Sequence, residues 1–184
     1  RAKNIDVPAD ISSAAFFLVG ASIADNADLT IRHVGMNPTR IGVINILRAM
    51  GANIEVLNET EVGGEPVADV TVNPGTLHGT TVNGDLIVRA IDEFPALMVA
   101  ALCAEGETVV RDAHELRVKE TDRITVMAAE LRKLGAEINE FDDGFRVVGP
   151  QSLRGAVVQG HDDHRVAMAL TVAGLVADGE TRIE

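Results

Sequence analysis

The stretch Val118-Lys119-Glu120-Thr121-Asp122-Arg123-Ile124 packs four charges into residues 119–123, directly ahead of the apolar series Ile124, Val126, Leu131 and Leu134. That spacing predicts a helix buried along one face, with charge gathered where it begins. For a helix starting near Lys119, Lys119 and Arg123 share a face four residues apart, and Glu120 reaches Arg123 three residues on. Two cations and a carboxylate then meet where unpaired backbone N–H groups and the positive end of the dipole already favour an anion. The chemistry on offer is the binding of a phosphate or carboxylate ligand beside a proton-transferring acid. A solvated helix start stitched by ion pairs uses the same residues, so this stretch alone leaves both readings open.

Two other places carry reactive groups at helix starts. Asp92 precedes an apolar run with Pro95 in its first turn, and Asp163-His164-Arg165 opens another. Taken singly, Asp92 and Asp163 read as N-caps and His164 as a surface or supporting histidine. His161, Asp163 and His164 have the right types for a metal site, but their spacing is crowded and no further cluster supports them. Cys103 is the single cysteine, so the chain can form no intrachain disulfide or thiolate metal cluster. Within Ala100-Ala101-Leu102-Cys103-Ala104 it reads as a small buried residue rather than a nucleophile. His33, His78 and His114 follow no pattern and read as surface or strand-end residues.

The elements that must position these groups repeat. An apolar helix from Asp10 through Val19 leads to a turn at Asp25-Asn26 and a strand at Leu29-Thr30-Ile31. A second helix spans Arg40 to Met50, ends at Gly51, and is followed by strands at Asn53–Leu57 and Asp69–Val72. The same order returns in an apolar helix from Asp92 through Ala104, a strand at Glu107–Arg111, the Lys119 helix ending at Gly135, and strands at Glu137–Phe141 and Phe145–Val148. Leu47-Arg48, Met50-Gly51-Ala52 and Ile54 recur 84 positions later as Leu131-Arg132, Leu134-Gly135-Ala136 and Ile138. A third start follows with the apolar helix Val166 to Ala177 and a turn at Gly179, before the chain stops in what reads as a strand.

Two and a half copies of a βαβαββ-like unit, approximately residues 1–75, 76–150 and 151–184, predict one globule, since no unit buries both of its helices alone. The first helix of each unit is apolar all round and belongs inside, while the amphipathic second helices belong outside or along an edge. The predicted fold is an inside-out α/β prism of three sheets around a helical centre, with the last unit incomplete. In it Asp92, the Lys119 stretch and Asp163-His164-Arg165 gather at one end, on the rim where such folds place ligands. The incomplete unit leaves an open edge, which predicts dimerisation or swapping.

Composition narrows the class of function. The chain has 184 residues, 46% of them hydrophobic, enough for a real core. With 28 acidic against 16 basic residues its net charge is −12, unlike the basic footprint of a nucleic-acid or membrane-surface binder. Tryptophan and tyrosine are absent, so stacking on bases is not expected. No apolar run reaches the roughly 18 residues of a membrane span. The opening Arg1-Ala2-Lys3-Asn4 lacks a signal-peptide core, and the chain reads as cytoplasmic. It opens without Met and stops mid-strand, which suggests a piece of something longer.

Lys119-Glu120-Thr121-Asp122-Arg123 after Leu116-Arg117-Val118, with Asp163-His164-Arg165 and Ile91-Asp92-Glu93-Phe94-Pro95, resembles the 5-enolpyruvylshikimate-3-phosphate synthases, or 3-phosphoshikimate 1-carboxyvinyltransferases. The opening Asp10-Ile11-Ser12-Ser13-Ala14 is similar to the point where that family re-enters its catalytic C-terminal globule. The resemblance spans nearly the whole chain, which looks like less than half of a family member. It implies transfer of the enolpyruvyl group of phosphoenolpyruvate to the 5-hydroxyl of shikimate 3-phosphate, through a tetrahedral intermediate and with release of phosphate. No metal or cofactor is implied. It also implies Asp92 as base for the hydroxyl, Glu120 for proton transfer at the methylene carbon, and Lys119, Arg123 and Arg165 as phosphoenolpyruvate ligands, with His164 orienting or donating. Glu115 departs from an amide that many members carry. The implied partner is an N-terminal globule with most of the shikimate 3-phosphate contacts, and the family's inhibitor glyphosate mimics phosphoenolpyruvate. A UDP-N-acetylglucosamine enolpyruvyl transferase and a non-catalytic anion-binding domain are the alternatives.

Overall fold

A computed structural model describes residues 5–184; the opening Arg1-Ala2-Lys3-Asn4, on which the reading about a signal peptide rests, lies outside the described residues. The elements run in the order α1 (Ile11–Ile23), β1 (Leu29–Gly35), α2 (Gly42–Ala49), β2 (Asn53–Val62), β3 (Glu65–Asn73), β4 (Thr81–Val82), α3 (Asp85–Arg89), α4 (Phe94–Cys103) and β5 (Gly106–Val110). A 3-10 turn at His114–Val118 follows, then α5 (Arg123–Lys133), β6 (Ile138–Phe141), β7 (Gly144–Gly149), β8 (Val157–Val158), α6 (His164–Gly174) and β9 (Arg182–Ile183). The fold is mixed α/β.

Helices α1, α4 and α6 pack against one another at the centre. In α4 every residue from Phe94 to Leu102 is buried, as its all-apolar sequence predicts. Burying side chains such as Phe94, Leu97, Met98 and Leu102 contributes about 1.5–3 kcal/mol each. Around this centre lie three sheets: β1-β3-β2, antiparallel throughout; β4-β5-β7-β6, with β4 parallel to β5; and the parallel pair β8-β9. β3 packs on α1, β7 on α4 and β9 on α6. Ala9 pairs in parallel with Val34 of β1, so a parallel pairing flanks each of the three central helices. The amphipathic helices lie outside this trio, α2 on α1 and α3, and α5 on α4 and α6.

Several boundaries differ from the sequence reading for local reasons. β2 and β3 extend into a longer hairpin turned at Gly63 and Gly64, both at positive φ; its outer residues 58–61 are polar and exposed, so hydrophobic alternation does not mark them. β1 continues past Ile31 through a bulge in which His33 sits at φ 58 and its amide donates to Asp69 at 2.9 Å. β4, α3 and the 3-10 turn, each two to five residues long, carry too few residues to show a period. Cys103 is half-buried, and burial pushes its thiol up to about 11, which leaves it protonated and inert at neutral pH. No helix among the described residues is long and apolar enough to cross a membrane.

Candidate active site

Lys119 is not part of a helix. The 3-10 turn ends at Val118, Lys119 is extended (φ −81, ψ −157), and α5 begins only at Arg123, capped by Asp122, whose Oδ1 accepts from the Thr125 amide at 3.1 Å. The expected helix start near Lys119 is therefore corrected by four residues. An Asp just before the apolar run takes the N-cap, and Arg117 holds it there by donating to Asp122 Oδ2 at 2.7 Å and to the Phe141 carbonyl at 2.5 Å. Lys119 and Arg123 thus share no helical face. Of the helix N–H groups expected to attract an anion, that of Thr125 is already taken by the Asp122 carboxylate.

Asp92 is the second correction. The N-cap position of α4 belongs to Glu93, without a side-chain cap bond. Pro95, the second residue of the helix, has no N–H for a capping carboxylate to accept from. Asp92 sits one residue further out, in the turn before α4, with its carboxylate directed at cations. Lys119 Nζ lies 3.5 Å from its Oδ1, and Arg165 Nη2 3.6 Å from its Oδ2. Arg165 Nη1 also donates to the Asp92 carbonyl at 3.3 Å.

The hub is Arg123, whose side chain is only 1% exposed. Its Nε donates to Asp163 Oδ2 at 2.8 Å, its Nη2 to Glu120 Oε2 at 2.5 Å and Asp163 Oδ1 at 3.3 Å, and its Nη1 to Asp92 Oδ1 at 3.4 Å. A buried guanidinium without such partners would be strongly destabilising. Asp163 serves twice, also capping α6 by accepting from the Arg165 amide at 2.9 Å. Burial alone would raise its carboxyl. The bonds and charge of Arg123, the Arg165 amide and the Thr121 hydroxyl outweigh that and hold it below the usual range. The reading of Asp163 as mainly structural agrees with this placement.

Five of the six candidate residues, Asp92, Lys119, Glu120, Arg123 and Arg165, therefore meet in one cluster. With Asp163 they balance three cations against three carboxylates. Glu120, half exposed, Asp92 and Lys119 form the solvent side, Arg165 is largely buried, and Arg123 and Asp163 are the floor. His164, first residue of α6, is exposed and makes none of the site's hydrogen bonds among the described residues. The trio His161, Asp163 and His164 is not assembled, since His161 bonds to Glu130 and Asp163 to Arg123; the described residues contain no acid, histidine and cysteine group arranged to hold a metal ion. Glu115 is exposed on the 3-10 turn.

Sequence reasoning gave no role to Glu93. It is 3% exposed and accepts from the Ser12 hydroxyl, which in turn accepts from Arg40 Nη2 at 2.9 Å. Burial pushes its carboxyl above the ordinary value, only partly offset by Ser12 and by the Arg165 charge. This chain ties the turn carrying Asp92 to the start of α1, 81 residues away. The available signal was an acid set directly before Phe94-Pro95 in an otherwise apolar run.

The comparisons with known proteins bear on this constellation. The family model described as EPSP synthase (3-phosphoshikimate 1-carboxyvinyltransferase) matches residues 1–184. A 3-phosphoshikimate 1-carboxyvinyltransferase of Halorhodospira halophila is 59% identical over 181 residues, 98% of this chain and 41% of the relative. One from Alkalilimnicola ehrlichii is 58% identical over all of this chain and 41% of its own length. A solved structure of EPSP synthase from Acinetobacter baumannii superposes with a TM-score of 0.95 at 48% identity, over 98% of this chain and 42% of that one. The chain spans about two fifths of the length of these relatives. Whole-chain agreement in sequence and fold, with the motif residues gathered into one cluster, leads to a plain conclusion: the chain belongs to the EPSP synthase (3-phosphoshikimate 1-carboxyvinyltransferase) family.

Proposed function

We propose that these residues form much of the catalytic C-terminal globule of a cytoplasmic enzyme that moves the enolpyruvyl group of phosphoenolpyruvate to the 5-hydroxyl of shikimate 3-phosphate and releases phosphate. The observation that carries the reading is the convergence of Lys119, Arg123 and Arg165 on Asp92, with Glu120 at the open side. Asp92 takes the hydroxyl proton as the oxygen bonds to the central carbon of phosphoenolpyruvate. Glu120 gives a proton to the methylene carbon and takes one back when the tetrahedral intermediate expels phosphate. Lys119 and Arg165 hold the carboxylate and phosphate, the arginine as a planar fork and the lysine as a point charge. Arg123 completes the ligand set from the floor through Nη1, whose long contact to Asp92 is the one an incoming anion replaces. His164 orients the ligand from the rim.

In the same reading the fold is an inside-out α/β prism of repeated βαβαββ units, near 1–75, 76–150 and 151–184. An N-terminal globule supplies most shikimate 3-phosphate contacts and closes over the site, excluding water. The 184 residues alone are then inactive. The test is phosphate release from both substrates, using this chain with and without the complementary parts of the enzyme. Turnover only in the reconstituted mixture, lost in Glu120→Gln and Arg165→Ala by about a hundredfold or more, is expected. Folded, associated parts that stay silent would sink the proposal and leave an anion-binding domain.

A further inference from the structure

Glu130 lies seven residues after Arg123 on α5, two helical turns and about 10 Å along the same face. Only 2% exposed, it accepts from the Gln159 amide at 2.9 Å and lies 2.8 Å from His161 Nε2, while Lys133 Nζ reaches its two oxygens at 2.8 and 2.7 Å. The lysine contact is local, one helical turn away. The other two reach across 29 and 31 residues to the turn before α6. Arg123 grips the far end of that turn at Asp163. One helix face thus holds residues 159–163 at both ends, with an acid at one hold and a cation at the other.

The turn itself needs holding. His161 and Asp162 both adopt left-handed backbone, φ 53 and 55, a region uncommon outside glycine, which Asp and His enter more readily than most residues but which two in succession make costly without outside contacts. Asp163 donates its amide to the Gly160 carbonyl at 3.0 Å to close the turn, and the next amides cap onto the Asp163 carboxylate. The direction in which Arg165 leaves the helix start, and so its approach to Asp92, follows from how this turn is set.

We propose that Glu130 is a positioning residue for the anion site: by holding Gln159 and His161 it sets the turn that delivers Asp163 and Arg165 to Asp92, without touching the ligand itself. This rests on reading Asp92 and Arg165 as the substrate site. A carboxylate suits the task because both oxygens are acceptors, Oε1 facing His161, Oε2 the Gln159 amide, and Lys133 reaching both; an amide of the same shape would set an N–H against one of those neighbours.

The test places Glu130→Gln in the complete enzyme, with Lys133→Met as a control that loses only the local pair. Glu130→Gln should raise KM for phosphoenolpyruvate about tenfold, as expected for one misplaced charge-assisted contact, with KM for shikimate 3-phosphate and the thermal midpoint near wild type. Lys133→Met should leave both KM values unchanged. In the same enzyme, the NMR amide signals of residues 163–165 should move in Glu130→Gln while those of the β2–β3 hairpin stay. Unmoved amides with an unchanged KM, or an equal rise in both KM values with a lowered midpoint, would overturn the assignment. A wild-type complete enzyme that does not turn over these substrates defeats the functional reading instead, and the amide signals then decide the positioning claim alone.

Discussion

At the scale of single residues, two buried carboxylates of this site respond to pH in opposite senses. Asp163 is held below the ordinary aspartate value of 3.8, so its contribution to stability is fully present above that value and is lost as pH falls through the lower folded value. Asp163→Asn should cost about 3–5 kcal/mol at neutral pH, because it leaves a buried guanidinium underpaired. Chemical denaturation should show that gap narrowing below 3.8. Glu93 is raised above 4.5, so its favourable contribution is present below 4.5 and disappears as pH rises through the folded value. Glu93→Gln keeps an acceptor for Ser12 and never ionises. Its stability relative to wild type should therefore improve as pH rises from about 4 to 7, and a flat difference would reject the buried-acid account. Residue types and spacing pointed to Lys119, Glu120 and Arg123, and the family resemblance added Asp92 and Arg165. They did not show that Arg123 is the buried centre, because burial is set by neighbours far away in the chain.

At the scale of elements, the site depends on where helices begin rather than on where they run. α2 approaches the stretch that carries Asp92 at Gly42, where an added Cβ would lie 2.6 Å from the Arg89 carbonyl carbon and oxygen and 2.9 Å from the Ala90 nitrogen. These are backbone atoms, which cannot swing aside. Gly42→Ala should destabilise by about 1–3 kcal/mol, typical of overpacking, and displace the Asp92 turn. A denaturation midpoint equal to wild type would show that α2 moves away at no cost. The existence of α1, α4 and α6 was legible from their apolar runs and that of α5 from apolar periodicity, but their first residues were less so. Several polar residues stand ahead of α4 and α5, and any of them could cap. The choice of Asp122 over Lys119 came from Arg117 anchoring it to β6, and the exclusion of Asp92 from the missing N–H of Pro95.

At the scale of the whole molecule, the central helices are unequally covered. α2 lies against α1, and α5 lies against α4 and α6, but between α1 and α6 runs an open apolar groove of about 530 Å³. Phe17, Gly20, Ala21, Met168, Thr171 and Leu175 line it, with Phe17 and Leu175 each 64% exposed. The two-stranded β8-β9 sheet packs on the same helix α6. Apolar surface of this kind beside an unpaired strand edge favours association. Sedimentation of these 184 residues should show a dimer at tens of micromolar or so, weakened by Phe17→Lys. A monodisperse monomer would count against it, as would a dimer indifferent to the substitution.

The sequence by itself determined the family, the α/β class, the apolar helices of the centre and the identity of five clustered residues. These follow from local periodicity and from motifs whose meaning travels with the residues themselves. Only the tertiary structure decided that Arg123 is enclosed by three carboxylates, that Asp163 both caps a helix and pairs a guanidinium, and that Glu93 and Glu130 are buried and bonded to distant segments. Most of the contacts behind those facts join residues tens of positions apart, Arg123 to Asp92 and Asp163, Glu93 to Ser12, and Glu130 to Gln159 and His161. Such contacts depend on how the helices dock, and periodicity along one element holds no information about that.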